Sequence, residues 1–528
     1  MSDFLAGAGL LLAAAASAAA ILLPPGRARS AAMLAAIVLF PVLIAGDQWH
    51  TTQITDLRHD TGRIVALLAI AALVVAALAY AFRRWPVLLP LAIIFALPFR
   101  VPLHAGGDTA NLLVPLYLVI AAGVIATLLR DWSSPPIAHA PRALAWLLAA
   151  AVVLYAVQAL YSDDFSKGLQ NVCFFFVPFT VAYRLLREAR WDRRLLTLAL
   201  WVVGLEATAF VLIASVEFVS RSLFWNDQII RSNEFHTYFR VNSIFWDPNV
   251  YGRYLALATV IATAALLWAR TREAFWLLSG LILVLWIGLV PTFSQSSLIA
   301  LLAGLAVLAA IRWSWRWTLA AVGVGLVAAV LVVLLVGGSG KLTTDRLNVD
   351  TSGRGNLISG GVDLFGERPL QGYGSGSFQT AYRHHRENKD VPVTVSHTEP
   401  VTIAAEQGLI GLAVYLALIV VALWTLGRGM WGRRPAGPVT AGDTPPLPVA
   451  KASSGEVPPT VPPAGGAPYA ARAAVLAAFV ALLVHTLAYA GFFEDPITWV
   501  LLAIGASLAF APAPGEAGAG ESLVRAPA

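Results

Sequence analysis

Ser-Gly-Arg-Gly at 352–355, Glu-Arg-Pro-Leu-Gln-Gly-Tyr-Gly-Ser-Gly-Ser-Phe at 367–378, Val-Ser-His-Thr-Glu-Pro at 395–400 and Glu-Gln-Gly-Leu-Ile-Gly-Leu at 406–412 punctuate one polar stretch between two apolar runs, near 317–336 and 409–427. Each run is long enough to cross a hydrocarbon core roughly 30 Å thick. Arginines, histidines and a glycine turn are therefore concentrated in a loop that leaves and re-enters a membrane.

The pattern repeats outward from that loop. Further apolar runs occur near 4–23, 31–46, 64–82, 86–103, 111–129, 143–160, 169–186, 195–219, 249–269, 275–290, 297–311, 473–490 and 497–511. With the two above, about fifteen spans are expected, give or take roughly two, because short runs can be re-entrant. A chain that is 58% hydrophobic and 12% charged, with a mean hydropathy of +0.72, has too much apolar surface for a water-soluble globule. Ala16-Ser17-Ala18 resembles a signal cleavage site, but no basic segment precedes the first span.

The short basic loops follow one alternation: Arg27 and Arg29, Arg83-Arg84, Arg130, Arg187 to Arg194, Arg270 and Arg272, Arg312 and Arg316. The positive-inside rule places them in the cytoplasm. The outer loops then fall near 47–63, 104–110, 161–168, 220–248, 291–296, 337–408 and 491–496. The net charge of +6 is explained by these inner arginines and anionic lipid, and no motif suggests nucleic acid. Cys173 is the only cysteine and lies in an apolar run, so the outer loops are expected to hold their shape without disulfides or cysteine-bound metal. Between Arg428 and Arg472 the chain turns rich in Pro, Gly, Ala and Thr, as a disordered cytoplasmic linker does. The expected organisation is an N-terminal bundle at 1–219, a region with the two long outer loops at 220–427, a linker at 428–472, a C-terminal transmembrane pair at 473–511 and a tail at 512–528. No internal repeat is visible, which disfavours an inverted-repeat transporter.

Within the large loop, Ser352 can cap a short helix carrying Leu357, Ile358, Val362 and Phe365 as an apolar stripe, for the membrane or the bundle. Arg354 sits in its first turn. Lys341, Arg346 and the run Arg383-His384-His385-Arg386 would attract a polyanion, either substrate or lipid headgroups. The glycines from Gly372 to Gly376 permit positive φ, and no strand and helix frame them as a nucleotide site. His397 precedes Thr398, a plausible N-cap, with Glu399 and Pro400 in the first turn of a helix running through Glu406. An imidazole at the positive end of a helix dipole stays neutral and can accept a proton, or it merely caps and bridges. Glu406 is read as structural. In the other long loop Arg221, Arg231 and His236 precede the run from Phe239 to Asn249, where Arg240 can grip a phosphate bidentately or snorkel to a lipid headgroup.

Three blocks in this order resemble the O-antigen ligase and polymerase superfamily: Arg240 to Asn249 before a span, Phe293-Ser-Gln-Ser-Ser-Leu at the mouth of another, and the loop at 352–412. Together they cover about a third of the chain, 240–412. The resemblance implies an all-α polytopic membrane protein, a GT-C-like bundle of about 12–15 transmembrane helices with short helices in a large periplasmic loop. It implies a glycosyltransferase of the bacterial inner membrane that moves glycan from undecaprenyl pyrophosphate to lipid A core, a growing polysaccharide or a protein, without cofactor or metal. By the same resemblance His397 is the essential histidine, and Arg240 and Arg354 hold the pyrophosphate; Gln295, Arg383 and Arg386 are further candidates for substrate binding. The family commonly has Ser-Arg where this chain has Ser294-Gln295, and Gln295 brings hydrogen bonds but no charge.

Two competitors remain. A metal-dependent transferase would use Asp163-Asp164 or Glu494-Asp495, the only close outer carboxylate pairs. A transporter or exporter of polysaccharide or small molecules would need ionisable groups deep in the spans, of which Glu206 is the clearest.

Overall fold

The computed structural model describes residues 3–49, 51, 55, 59–105, 108–131, 142–224, 229–230, 233, 238–336, 354–385, 396–430 and 467–510. Its helices are α1 (Asp3–Leu22), α2 (Arg27–Asp47), α3 (Thr61–Arg84), α4 (Leu88–Ala96), α5 (Val114–Asp131), α6 (Ala143–Ala159), α7 (Phe165–Asn171), α8 (Val177–Arg187), α9 (Arg193–Ser220), α10 (Pro248–Leu267), α11 (Arg272–Leu289), α12 (Gln295–Arg312), α13 (Trp315–Val336), α14 (Arg354–Glu367), α15 (Phe378–His385), α16 (Glu399–Gly427), α17 (Ala467–Thr486) and α18 (Pro496–Ala509). A π-turn, Val172–Phe176, joins α7 to α8 into one span. Among the described residues, 11 helices are long and apolar enough to cross a membrane, with α6 and α18 shorter apolar ones. The chain is thus an all-helical, multi-pass membrane protein apart from one hairpin, β1 (Val101–Ala105) and β2 (Asp108–Leu112), antiparallel with Val101 opposite Leu112.

A helical backbone satisfies its own polar groups where no water can, and short side chains fix where several of the helices start. Asp60, Asp164, Asp192, Asp247, Thr271, Ser294 and Asp495 each accept a hydrogen bond from a first-turn N–H.

Two spans differ from expectation. The run at 86–103 yields only α4, nine residues long, or about 14 Å, too short to cross. Pro98 follows it, and the chain turns back through Arg100 into the hairpin. The run at 409–427 does not begin a separate helix: α16 starts at Glu399 and continues through a kink at Gly408 (φ 63°, ψ −162°).

The helices after residue 428 pack into the same bundle, α17 against α10 and α12, and α18 against α8. At the arginine-rich end, Arg29 is fully buried between Asp131 and Glu188, and Ser30 Oγ donates to Asp131 at 2.8 Å. This charge cluster ties α2, α5 and α8 together, each charge having an opposite partner as burial requires. The expected linker lies mostly outside the described residues, as do Lys341, Arg346, Ser352, Arg231 and His236.

Candidate functional site

The site lies at the opposite end of the bundle and starts from the kink in α16. Gly408 breaks the helical ladder, so Leu409 N–H donates to Pro369 O (2.7 Å). The carbonyls of Ala405 and Glu406 accept from Tyr373 (3.1 Å) and Gly374 (2.8 Å). The Glu406 carboxylate accepts from Gly376 N (2.9 Å) and Phe378 N (3.1 Å), fixing the start of α15. Glu406 is therefore structural, as expected. At Gly374 (φ 94°) a Cβ would stand 2.2 Å from Ser162 Cα, so the glycine turn is clamped between the 161–168 loop and α16.

Helix α14 docks on this pedestal through Leu357 and Leu364, against Phe378, Ala381, Tyr382 and Ala405. Val362, expected on that stripe, is 53% exposed. Glycines 360 and 361 lie in the docked face instead, where Tyr382 and Phe378 approach the backbone.

His397 has φ 63°, uncommon for a residue with a Cβ and held here by its neighbours. Ser396 Oγ accepts from Thr398 N (3.2 Å) and pairs with Thr402 Oγ1 (2.8 Å). Thr398 occupies the N-cap position, but its hydroxyl donates to Leu487 O (2.9 Å), so Ser396 organises the turn that Thr398 was expected to cap. Glu399 accepts from Gly491 N at 2.7 Å. These bonds stitch 396–399 to the loop between α17 and α18. The His397 ring faces Tyr489 at 6.4 Å between centroids, and Tyr489 faces His485 at 5.8 Å. His485 Nε2 shares a hydrogen bond with Ser296 Oγ (3.2 Å), and Ser294 Oγ lies 2.8 Å from Ser297 Oγ.

Arg240 binds this layer from the other side. Its Nε donates to Thr292 O (2.9 Å) and its Nη2 to Asn249 Oδ1 (3.2 Å). Asp247 caps α10 and lies close enough to the Tyr489 hydroxyl to act on its titration. Burial raises the Tyr489 pKa, Asp247 adds to the rise, and Arg253 and Arg100 oppose it. Arg253 pairs with Asp495, Nη2 to Oδ2 at 2.9 Å. Arg100 is close enough to Asp495 and Arg253 to feel both charges, and burial lowers its pKa.

His397 and Arg240 thus fall in one layer. Arg354 opens α14, and its side chain is outside the described residues, as is Arg386 entirely. Gln295 is exposed, whereas Ser294, Ser296 and Ser297 beside it are buried. Arg383 is exposed on α15, and its neighbour His385 pairs with Glu367 at 2.8 Å. Asp163 faces Arg368 (3.8 Å), Asp164 caps α7 and accepts from Thr380 (3.1 Å), and Asp495 caps α18. Glu206 Oε2 accepts from the Tyr254 hydroxyl at 3.1 Å within the bundle, while Oε1 is buried without a hydrogen bond among the described residues. Arg100, Arg253, His485 and Tyr489 were not anticipated. An ionisable Arg253 inside an apolar run was a readable signal.

One part of the chain matches a known family. Residues 280–416 match the family model of O-antigen ligase. The O-antigen ligase-like segment contains Ser294 to Ser297, Arg354, the glycine turn and His397, while Arg240, Arg253 and the 485–495 loop come to it from outside. No curated protein matches the chain.

Proposed function

We propose that the chain transfers a glycan from undecaprenyl pyrophosphate to an acceptor hydroxyl on the outer face of a bacterial inner membrane, inverting the anomeric centre without a metal ion. The observation that carries this is the convergence of His397, Tyr489 and Arg240 from three distant parts of the chain at the end of the bundle away from the basic loops. The acceptor oxygen bonds to the anomeric carbon as the bond to the pyrophosphate oxygen breaks, and His397 takes the acceptor proton. Arg240 and Arg354 stabilise charge on the departing pyrophosphate. Arg253 and Arg100, set against the single carboxylate of Asp495, leave a net positive charge near the start of α10. Exposed Arg383 meets charged parts of a long glycan.

Membranes containing wild type or His397→Ala are incubated with a lipid-linked oligosaccharide, with and without chelator, and lipid pyrophosphate release and glycan product are measured. Release with product that survives chelator and needs His397 is expected, and product size separates ligase from polymerase. Full transfer by His397→Ala at equal protein level would remove the assigned role; loss in chelator would move the chemistry to a metal.

A further inference from the structure

A cavity of about 200 Å³ opens between α6, α7, α16 and the α17–α18 loop. Glu399, Glu406 and Glu494 place carboxyls on its wall, with Lys167 as the cation among them. Backbone N–H groups hold Glu399 and Glu406 in place. Gln407 also lines the cavity; it is only 7% exposed, and its side-chain amide makes no hydrogen bond among the described residues. Glu494 likewise makes no hydrogen bond or ion pair among them. An amide open to a cavity is matched by a ligand offering both donors and acceptors.

Phe378 and Phe493 add aromatic surface to the same wall. Hydroxyls for the carboxyls and amide, and C–H groups for the rings, describe a pyranose. The volume is below the roughly 300–1,000 Å³ of drug-sized sites, so a single ring fits better than an oligosaccharide. Once ionised, as mildly alkaline pH ensures against the burial that holds the Glu494 proton, the three carboxyls outnumber the Lys167 ammonium on the wall and make the potential negative, which opposes an anionic ring. Ala490 and Gly491, on the wall, directly follow Tyr489, which faces His397.

We infer that this cavity is the subsite for one neutral or amino-bearing sugar ring of the glycan substrate and that it selects against uronic acids. The inference rests on the glycosyltransferase reading only for where the ring comes from.

Wild type, Glu494→Gln, Gln407→Ala and His397→Ala in lipid nanodiscs are titrated with glucosamine, glucose and glucuronate at mildly alkaline pH, with occupancy read by saturation-transfer NMR. Wild type should bind glucosamine and glucose at least about tenfold better than glucuronate. Glu494→Gln, which keeps shape and removes charge, should shrink that ratio at least about threefold. Gln407→Ala should weaken both favoured sugars, and His397→Ala should change none. Equal binding of glucuronate, no saturable sugar binding by wild type, or an unchanged ratio in Glu494→Gln overturns the proposal. Displacement of glucose by a lipid-pyrophosphate-linked oligosaccharide assigns the ring to the donor; its persistence assigns it to the acceptor. Pyrophosphate release is measured separately. Sugar binding without release keeps the subsite and removes the transfer; release without sugar binding does the reverse.

Discussion

Arg253 and Asp495 form an ion pair, Nη2 to Oδ2 at 2.9 Å, with only 5% and 3% of each residue exposed. The pair joins the second turn of α10 to the start of α18, helices far apart in sequence, and so fixes the loop that carries Tyr489. Removing Arg253 leaves Asp495 with only the charge of Arg100 nearby, and breaking a buried pair typically costs about 3–5 kcal/mol. Arg253→Met should therefore lower thermal stability in nanodiscs strongly. Asp495→Asn, which retains an N-cap oxygen, should restore much of the loss when added to Arg253→Met. A double variant no more stable than the single would mean that the two charges do not depend on each other.

Gln295 is exposed, while Ser296, the next residue, is buried against His485. Gln295→Ala should change stability by no more than about 0.5 kcal/mol and leave transfer intact. Ser296→Ala should slow transfer, because His485 and Tyr489 then lose their tether behind His397. Kinetics of both variants in membranes check this; a large effect of Gln295→Ala would bring position 295 back into donor binding.

The spans were legible because a bilayer demands helices and apolar side chains, and the positions of Arg83-Arg84 and Asp247-Pro248 mark helix ends without any tertiary knowledge. His397 and Arg240 were singled out as candidates through motif order. The truncation of α4 was signalled by Pro98 but hidden by the continuous apolar run around it. Tyr489 and His485 were not legible, since nothing near them in sequence says that the loop between the last two helices returns to His397. Thr398 takes the N-cap position as expected, but its hydroxyl does not cap the helix, because an unforeseen carbonyl, that of Leu487, competes for it.

Gly408 adopts φ 63°, and a Cβ there would stand 2.3 Å from Leu370 O. Gly408→Ala therefore meets both a disfavoured backbone region and a clash. Backbone strain alone costs about 1–3 kcal/mol, and straightening α16 would recapture the carbonyls that hold the glycine turn. A lower unfolding temperature together with loss of transfer is expected. Wild-type values for both would show that the kink is not required.

Glu494 gives a pH dependence whose sign follows from burial. Burial raises its pKa, and Lys167 and Arg100 pull it back only in part. The folded chain thus keeps this proton to higher pH than the unfolded chain, so the unfolded chain binds fewer protons over the intervening range. Below about pH 4.3, the ordinary glutamate value, both states are protonated and the side chain contributes no pH dependence. As pH rises from there to the folded pKa, stability falls, and beyond it the deficit is constant. Glu494→Gln removes that titration, so its advantage over wild type should be absent in acid and grow on raising the pH. Unfolding midpoints of the two proteins across an acid-to-alkaline series measure the difference directly, and comparing them cancels the titration of Glu399 and Glu406 except where these couple to Glu494. A difference that stays flat, or one that shrinks as pH rises, would mean that the carboxyl is solvated rather than held in the cavity wall.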